Sequence, residues 1–231
     1  MTHMLRFGDL ADLFLASLSL ISLAQGAPAE PRLDNGVISF TGPSGQRKLI
    51  DVGKRCADLW VAPDESVIAF IAIEHSDELG RDPDGEGPFI MASAVYIARR
   101  ANDFAPVRID LGPIQADGRE WVIFRHPRVS PEEDSVVFGI PSSITSEAVF
   151  SHAVTTGENR TVGRAVFFCV EWGGRSNGSV LMQRRYISSS VIKHRCYAWS
   201  RSGGEKVVAE DCEDFDGFAS TWSRDDGGLC R

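Results

Sequence analysis

Little in this 231-residue chain points to a familiar chemistry. It has no Cys-x-x-Cys pair and no cysteine–histidine spacing of a zinc site, so no structural metal is expected. It has no phosphate-binding loop and no dinucleotide fingerprint, so no cofactor is expected either. It has no excess of basic residues: 24 Lys and Arg face 32 Asp and Glu, for a net charge of −8. A nucleic-acid partner is therefore not expected, because phosphate binding needs a Lys/Arg field. The run Gln183-Arg184-Arg185-Tyr186 is too short to reverse that. No convincing helical period is present. No segment after the N-terminal one is long and apolar enough to span a bilayer, which takes about 20 residues.

What is present starts with an apolar N-terminal run, Leu13 to Ala24, followed by the small residues Ala24-Gln25-Gly26-Ala27. This pattern predicts a secretory signal over residues 1–26, cut after Gly26, and a periplasmic or secreted location. Asp9 and Asp12 oppose the positive charge of Arg6, and the alternative is an amphipathic N-terminal helix. Residues 27–35 read as a flexible start and 36–231 as one all-β domain. In an oxidising compartment Cys196 and Cys212 are the disulfide candidate, since they flank a predicted hairpin that turns near Gly203-Gly204. With five cysteines, one stays unpaired within a monomer.

The remainder alternates short strands with turns. Aromatic residues close a strand at Tyr96, Phe150 and Tyr197, 54 and 47 residues apart. A turn residue follows seven positions later in each case, at Asp103, Gly157 and Gly204. A Pro-Asp-Glu turn between apolar strands at Leu59–Phe70 returns as a similar turn at Pro127–Phe138 and, more weakly, at Trp172–Leu181. A further start of the same turn is read at Thr221–Gly227, with Ser223 lying 93 residues, or two steps, after Ser130. A period in this range marks propeller blades.

The expected architecture is a β-propeller-like array of about four blades. Three units are complete. The hairpin of residues 36–52 and a partial inner strand at 218–228 are expected to close a fourth, because open strand edges are sticky. A truncated ring is the alternative closure, and a β-sandwich the alternative fold.

The turn-and-strand pattern resembles the TolB-type β-propeller repeat over residues 36–228. Ser130-Pro131 and Ala62-Pro63-Asp64 approach that family's Ser-Pro-Asp-Gly turn, and Thr156–Arg160 is similar to its closing hairpin. The resemblance implies a non-catalytic module for binding a protein or cell-envelope component.

The loops 75–91, 141–146 and 188–190 occupy equivalent places and are expected on one face, the usual binding surface of a repeat protein. The candidate binding residues are His75, Asp77, Glu78, Asp82, Asp84, Glu86, Ser142 and Ser143. The acidic members lack the full spacing of a calcium loop, so a solvated acidic loop is the preferred reading. Gly174-Arg175-Ser176-Asn177-Gly178 matches Gly-x-Ser-x-Gly literally, yet a strand is predicted after it and no acid lies between Ser176 and His194. No catalytic residue is assigned. A hydrolase, or the propeller piece of a peptidase, is the alternative function.

Overall fold

The computed structural model describes residues 32–34, 36–41, 47–53, 55–74, 92–112, 114–116, 119–120, 123–143 and 146–230. Among the described residues the fold is all-β apart from one 3-10 turn and one short C-terminal helix. A three-stranded N-terminal sheet is formed by β1 (Arg32–Asp34), β2 (Val37–Thr41) and β3 (Arg47–Asp51). Three antiparallel sheets follow. The first contains β4 (Cys56–Val61), β5 (Val67–Glu74), β6 (Ala92–Arg99) and β7 (Pro106–Arg108). A two-stranded hairpin, β8 (Gln115–Ala116) and β9 (Arg119–Glu120), precedes the second. That second sheet contains β10 (Arg125–Val129), β11 (Ser135–Ser143), β12 (Ser146–Ala153) and β13 (Asn159–Ala165). The third contains β14 (Phe167–Gly173), β15 (Val180–Ser188), β16 (Val191–Ser200) and β17 (Gly204–Ala209). Helix α1 (Phe215–Asp226) and β18 (Gly228–Cys230) end the chain.

In each of the three sheets four consecutive strands form an up-and-down meander, as in a propeller blade, and in the third β18 adds a fifth strand beside β14. Tyr96, Phe150 and Tyr197 all lie on the third strand of their blade, opposite Phe70, Phe138 and Met182 on the second. The aromatic period therefore reports a true structural repeat. Apolar faces of adjacent blades meet in two layers. Trp60, Ala69, Ile71 and Val95 of blade 1 pack with Val129, Phe138 and Phe150 of blade 2. Val137, Val149 and Val162 of blade 2 pack with Phe168, Val170 and Met182 of blade 3. Trp60 and Trp172, from the first strands of blades 1 and 3, approach to 5.8 Å between ring centroids. Trp172 also donates its indole N–H to the Val129 carbonyl at 3.1 Å.

The turns between first and second strands lock the blades together. In both Pro turns the residue two positions after the proline is glutamate, and Glu65 and Glu133 sit at φ 57° and 55°. Left-handed backbone costs a non-glycine residue roughly 1–2 kcal/mol. Arginines hold each of these turns. Arg100 donates to the Asp64 and Glu65 carbonyls at 2.9 and 2.7 Å. Arg99 of blade 1 donates to the Glu133 carboxylate at 2.7 Å. Asn177 reaches Glu132 at 2.7 Å, and Arg201 reaches Asp134 at 2.7 Å, both linking blades 2 and 3.

The second junction between blades 2 and 3 is built on a missing side chain. A Cβ on Gly163 would lie 2.0 Å from a terminal nitrogen of Arg184. That space lets the guanidinium lie over the Tyr197 ring, 4.4 Å from its centroid, while pairing with Glu205 through both terminal nitrogens. Its Nε donates to the Arg164 carbonyl at 2.5 Å.

The ends of the array depart from expectation. Among the described residues the N-terminal hairpin and residues 218–228 do not join into a fourth blade. Among the described residues no strand pairing joins the N-terminal sheet to the C-terminus. Instead each end has its own cap. Ile38 and Ile50 of the N-terminal sheet pack on Phe70 and Tyr96 of blade 1. The strand Arg32–Asp34 in that sheet lies within the stretch 27–35 read as a flexible start.

At the other end, residues 218–228 are helix and turn rather than an inner strand. Asp214 caps α1 by accepting from the Gly217 N–H at 3.0 Å, and Gly227 ends it at φ 80°. Ser223 is therefore no repeat marker; it is buried in the helix and donates to the buried carboxylate of Glu171 at 2.7 Å. Phe215, Ala219 and Trp222 cover Cys169, Leu181 and Ala198 of blade 3.

Two disulfides staple this cap. The expected Cys196–Cys212 bond is present, with Cα atoms 5.7 Å apart. A second, Cys169–Cys230, joins β14 to β18 with Cα atoms 5.6 Å apart. Gln183 is buried and donates to the Cys212 carbonyl at 2.5 Å.

Candidate functional site

The clamps Arg99–Glu133, Asn177–Glu132 and Arg201–Asp134 lie at the turn end of the blades, whereas the Arg184 junction at Gly163 lies nearer the other end. At the opposite end lie the strand ends that the second-to-third-strand connections join: Glu74 and Ala92, Ser143 and Ser146, and Ser188 and Val191. These connections are 75–91, 144–145 and Ser189-Ser190. The loop carrying His75, Asp77, Glu78, Asp82, Asp84 and Glu86 lies outside the described residues. Ser142 is half-buried, and its hydroxyl meets the Ser146 carbonyl at 3.2 Å and the Ser146 hydroxyl at 3.3 Å. Ser143 pairs with Ser146 through the backbone at the end of β11.

A polar cluster that the sequence reading missed lies at the same end, where the first strands of blades 1 and 2 bulge. Asp58 and His126 are the bulge residues, at φ 50° and 49°. Neither is glycine, and strained backbone of this kind gathers at functional sites. The Asp58 carboxylate accepts from the His126 backbone N–H at 3.2 Å, so one bulge braces the other. His126 Nδ1 lies 3.1 Å from the Glu147 carboxylate.

The two residues stand on β10 and β12, with β11 between them. Gly139 on β11 makes the contact feasible: a Cβ there would lie 2.0 Å from the Glu147 carboxylate. Glu147 is nearly buried, whereas the His126 side chain is 49% exposed. The imidazole edge carrying Nε2 has no partner among the described residues.

The Glu147 hydrogen bond raises the His126 pKa above its ordinary value, against the opposing effect of burial. Arg128 lies beside them. Burial pushes its guanidinium down to about 10, against the attraction of Asp58 and Glu147. It donates to the Pro127 carbonyl at 2.9 Å, and its Nε has no hydrogen-bond partner among the described residues. The result is a compact set of two acids, one imidazole and one underpaired guanidinium, open to solvent at His126. It can hold a polar ligand group and can exchange a proton at Nε2.

The Gly174–Gly178 segment is the β14–β15 turn and leads into a strand. Asn177 accepts from the Gly173 N–H at 2.6 Å there. His194 pairs with Glu213 at 2.6 Å, near the C-terminal cap. No group of three metal-ligating side chains occurs among the described residues. No helix among them is long and apolar enough to cross a membrane.

No protein-family model matches the chain, and no curated protein is similar to it at a significant level. Among solved structures it is similar to the β-propeller domain of the Trilobed protease from Pyrococcus furiosus. Identity is 13% and the TM-score 0.46, over 78% of this chain and 52% of that one. It is also similar to the tricorn protease, at 10% identity and a TM-score of 0.46, over 78% of this chain and 16% of that one. A third is Pyrococcus horikoshii acylaminoacyl peptidase, at 10% identity and a TM-score of 0.42, over 80% and 32%. The chain thus spans about half or less of the length of these structures.

Proposed function

We propose that the chain is an exported, non-catalytic module of TolB-type propeller character that holds a protein or cell-envelope component on its loop face. The observation that carries this reading is the division of labour between the two faces. The turn face is occupied by clamps between blades, at Arg99–Glu133, Asn177–Glu132 and Arg201–Asp134. The opposite face carries the strand ends at Ser142, Ser146 and Ser188 and the Asp58–His126–Arg128–Glu147 cluster. Export is supported by the N-terminal apolar run and by two disulfides, which persist in oxidising compartments.

Deleting residues 76–88, or replacing His126 and Glu147 together by alanine and glutamine, should leave the fold intact and abolish capture of a partner from envelope extract. Undiminished capture by both variants refutes the assignment of this face.

A hydrolytic role is the second reading, favoured by one observation. Glu147 holds Nδ1 of a half-exposed imidazole, as an orienting acid holds a general base. Turnover of chromogenic esters that disappears in His126→Gln would establish it, and the absence of such turnover would leave the binding role.

A further inference from the structure

The turn-face clamps between blades 2 and 3 frame a cavity of about 280 Å³. Small-molecule sites span roughly 300–1,000 Å³, so this one has room for a single small ring. Strand register fixes what faces it. Ser151 stands opposite Val137, on the side of blade 2 that packs toward blade 3. Trp199 stands opposite Val180, on the side of blade 3 that packs toward blade 2. Val137 and Trp199 give the cavity its apolar lining. Its polar lining comes from the turns: Glu132 and Asp134 between β10 and β11, Asn177 between β14 and β15, and Arg201 between β16 and β17.

Two of the three charges cancel. Arg201 donates to Asp134 at 2.7 Å, and Ser130 donates to the other oxygen of that carboxylate at 2.8 Å. The remaining charge is the negative one on Glu132, so the cavity does not favour an anion. Three hydrogen-bonding groups of the lining have no partner among the described residues. They are the Trp199 indole N–H, the Ser151 hydroxyl and Glu132 Oε2, the other Glu132 oxygen accepting from Asn177 at 2.7 Å. Ser151 is only 4% exposed, and buried polar groups ordinarily find partners. The indole only donates, the carboxylate only accepts, and the hydroxyl does both. Hydroxyl groups answer all three. A ligand that sets several hydroxyls around an apolar C–H face is a sugar ring.

We propose that this cavity binds a free monosaccharide, with Trp199, Ser151 and Glu132 as the recognising side chains. The site lies on the turn face and needs no protein contact there. It is separate from the partner-binding reading of the loop face, and either can fail without the other.

The test is isothermal titration of the full chain, disulfides intact, with glucose, galactose and N-acetylglucosamine. Sorbitol, which carries the hydroxyls without a ring, is the fourth probe. Trp199→Phe keeps an aromatic ring and removes the N–H. Ser151→Ala removes the hydroxyl. Glu132→Gln puts a donor in place of the acceptor and still offers Asn177 an oxygen. The remote control is Arg160→Ala, whose side chain pairs with Glu158 at 3.0 Å. At least one sugar is expected to bind the wild type more tightly than sorbitol does. Its affinity should fall about fivefold or more in each of the three variants, as expected for one lost hydrogen bond, and stay unchanged in Arg160→Ala. The proposal is overturned if no sugar binds, if sorbitol binds as tightly as the best sugar, if the three variants bind like the wild type, or if Arg160→Ala weakens binding equally.

Discussion

Removing the Cys169–Cys230 bond should cost more stability than removing Cys196–Cys212, although both anchor the same few residues. The first closes a loop of 61 residues and the second one of 16. In the chain-entropy treatment these loops are worth about 4 and about 3 kcal/mol, because the unfolded chain loses more freedom when a longer loop is tied. The shorter loop is nested within the longer one. With the inner bond in place the outer loop is effectively shorter, but the logarithm changes little and its contribution remains about 4 kcal/mol.

Domains are stable by roughly 5–15 kcal/mol, so loss of both bonds should leave little or no folded protein. The assay is urea unfolding of Cys169→Ala/Cys230→Ala and of Cys196→Ala/Cys212→Ala, followed by tryptophan fluorescence. With an m-value of about 2 kcal/mol per molar urea, the midpoints should fall by about 2 M and 1.5 M respectively. Trp222 lies in the cap and Trp199 on β16 of blade 3, so the signal reports the affected region directly. Equal midpoints for oxidised wild type and the Cys169/Cys230 variant would refute the reasoning. So would five reactive thiols in the unfolded, unreduced protein.

Other substitutions test the blade junctions and the polar cluster. Gly163→Ala should cost about 2 kcal/mol by driving the Arg184 guanidinium from its seat, and Arg184→Ala added to it should cost little more in a double-mutant cycle. Glu65→Gly should raise stability by about 0.5–1 kcal/mol, since relief of left-handed backbone exceeds glycine's entropic cost. Glu133→Gly should gain less, because it loses the 2.7 Å ion pair with Arg99 where Glu65 loses only a 3.8 Å one with Arg100. His126 has a folded pKa above its unfolded value of about 6.5. Its ionic contribution is thus fully present below that value and lost as pH rises through the raised one. The stability deficit of His126→Gln, measured by urea unfolding, should therefore be larger at pH 6 than at pH 9.

The repeat was legible because its markers are local. Turn chemistry at Ala62-Pro63-Asp64 and Ser130-Pro131, and aromatics on each third strand, are set by a few neighbouring residues. Cys196–Cys212 was legible for the same reason, since the two residues border one hairpin. Helix α1 carried its own signal: Phe215, Phe218, Ala219 and Trp222 fall at helical spacing behind an Asp cap. Its closing Asp-Asp-Gly imitated another blade turn, and its Gly, Ser and Thr content lowered its intrinsic helix propensity. Packing on blade 3 and the disulfides supply what propensity does not.

Cys169–Cys230 and His126–Glu147 left no local trace. The first needs β18 to fold back on β14. The second needs a bulge on β10 and an absent side chain at Gly139 on the strand between. Such partners are chosen by tertiary geometry, which no spacing encodes.

The division between a locked face and a working face is tested most directly by site-specific photo-crosslinking in envelope extract. A crosslinker at Ser142 or at Ile192, which is 60% exposed beside the blade 3 connection, should trap a common partner. Crosslinkers at the exposed turn residues Thr155 and Ser202 on the opposite face should trap nothing above background. A partner trapped from Thr155 or Ser202 and not from Ser142 or Ile192 would contradict the account.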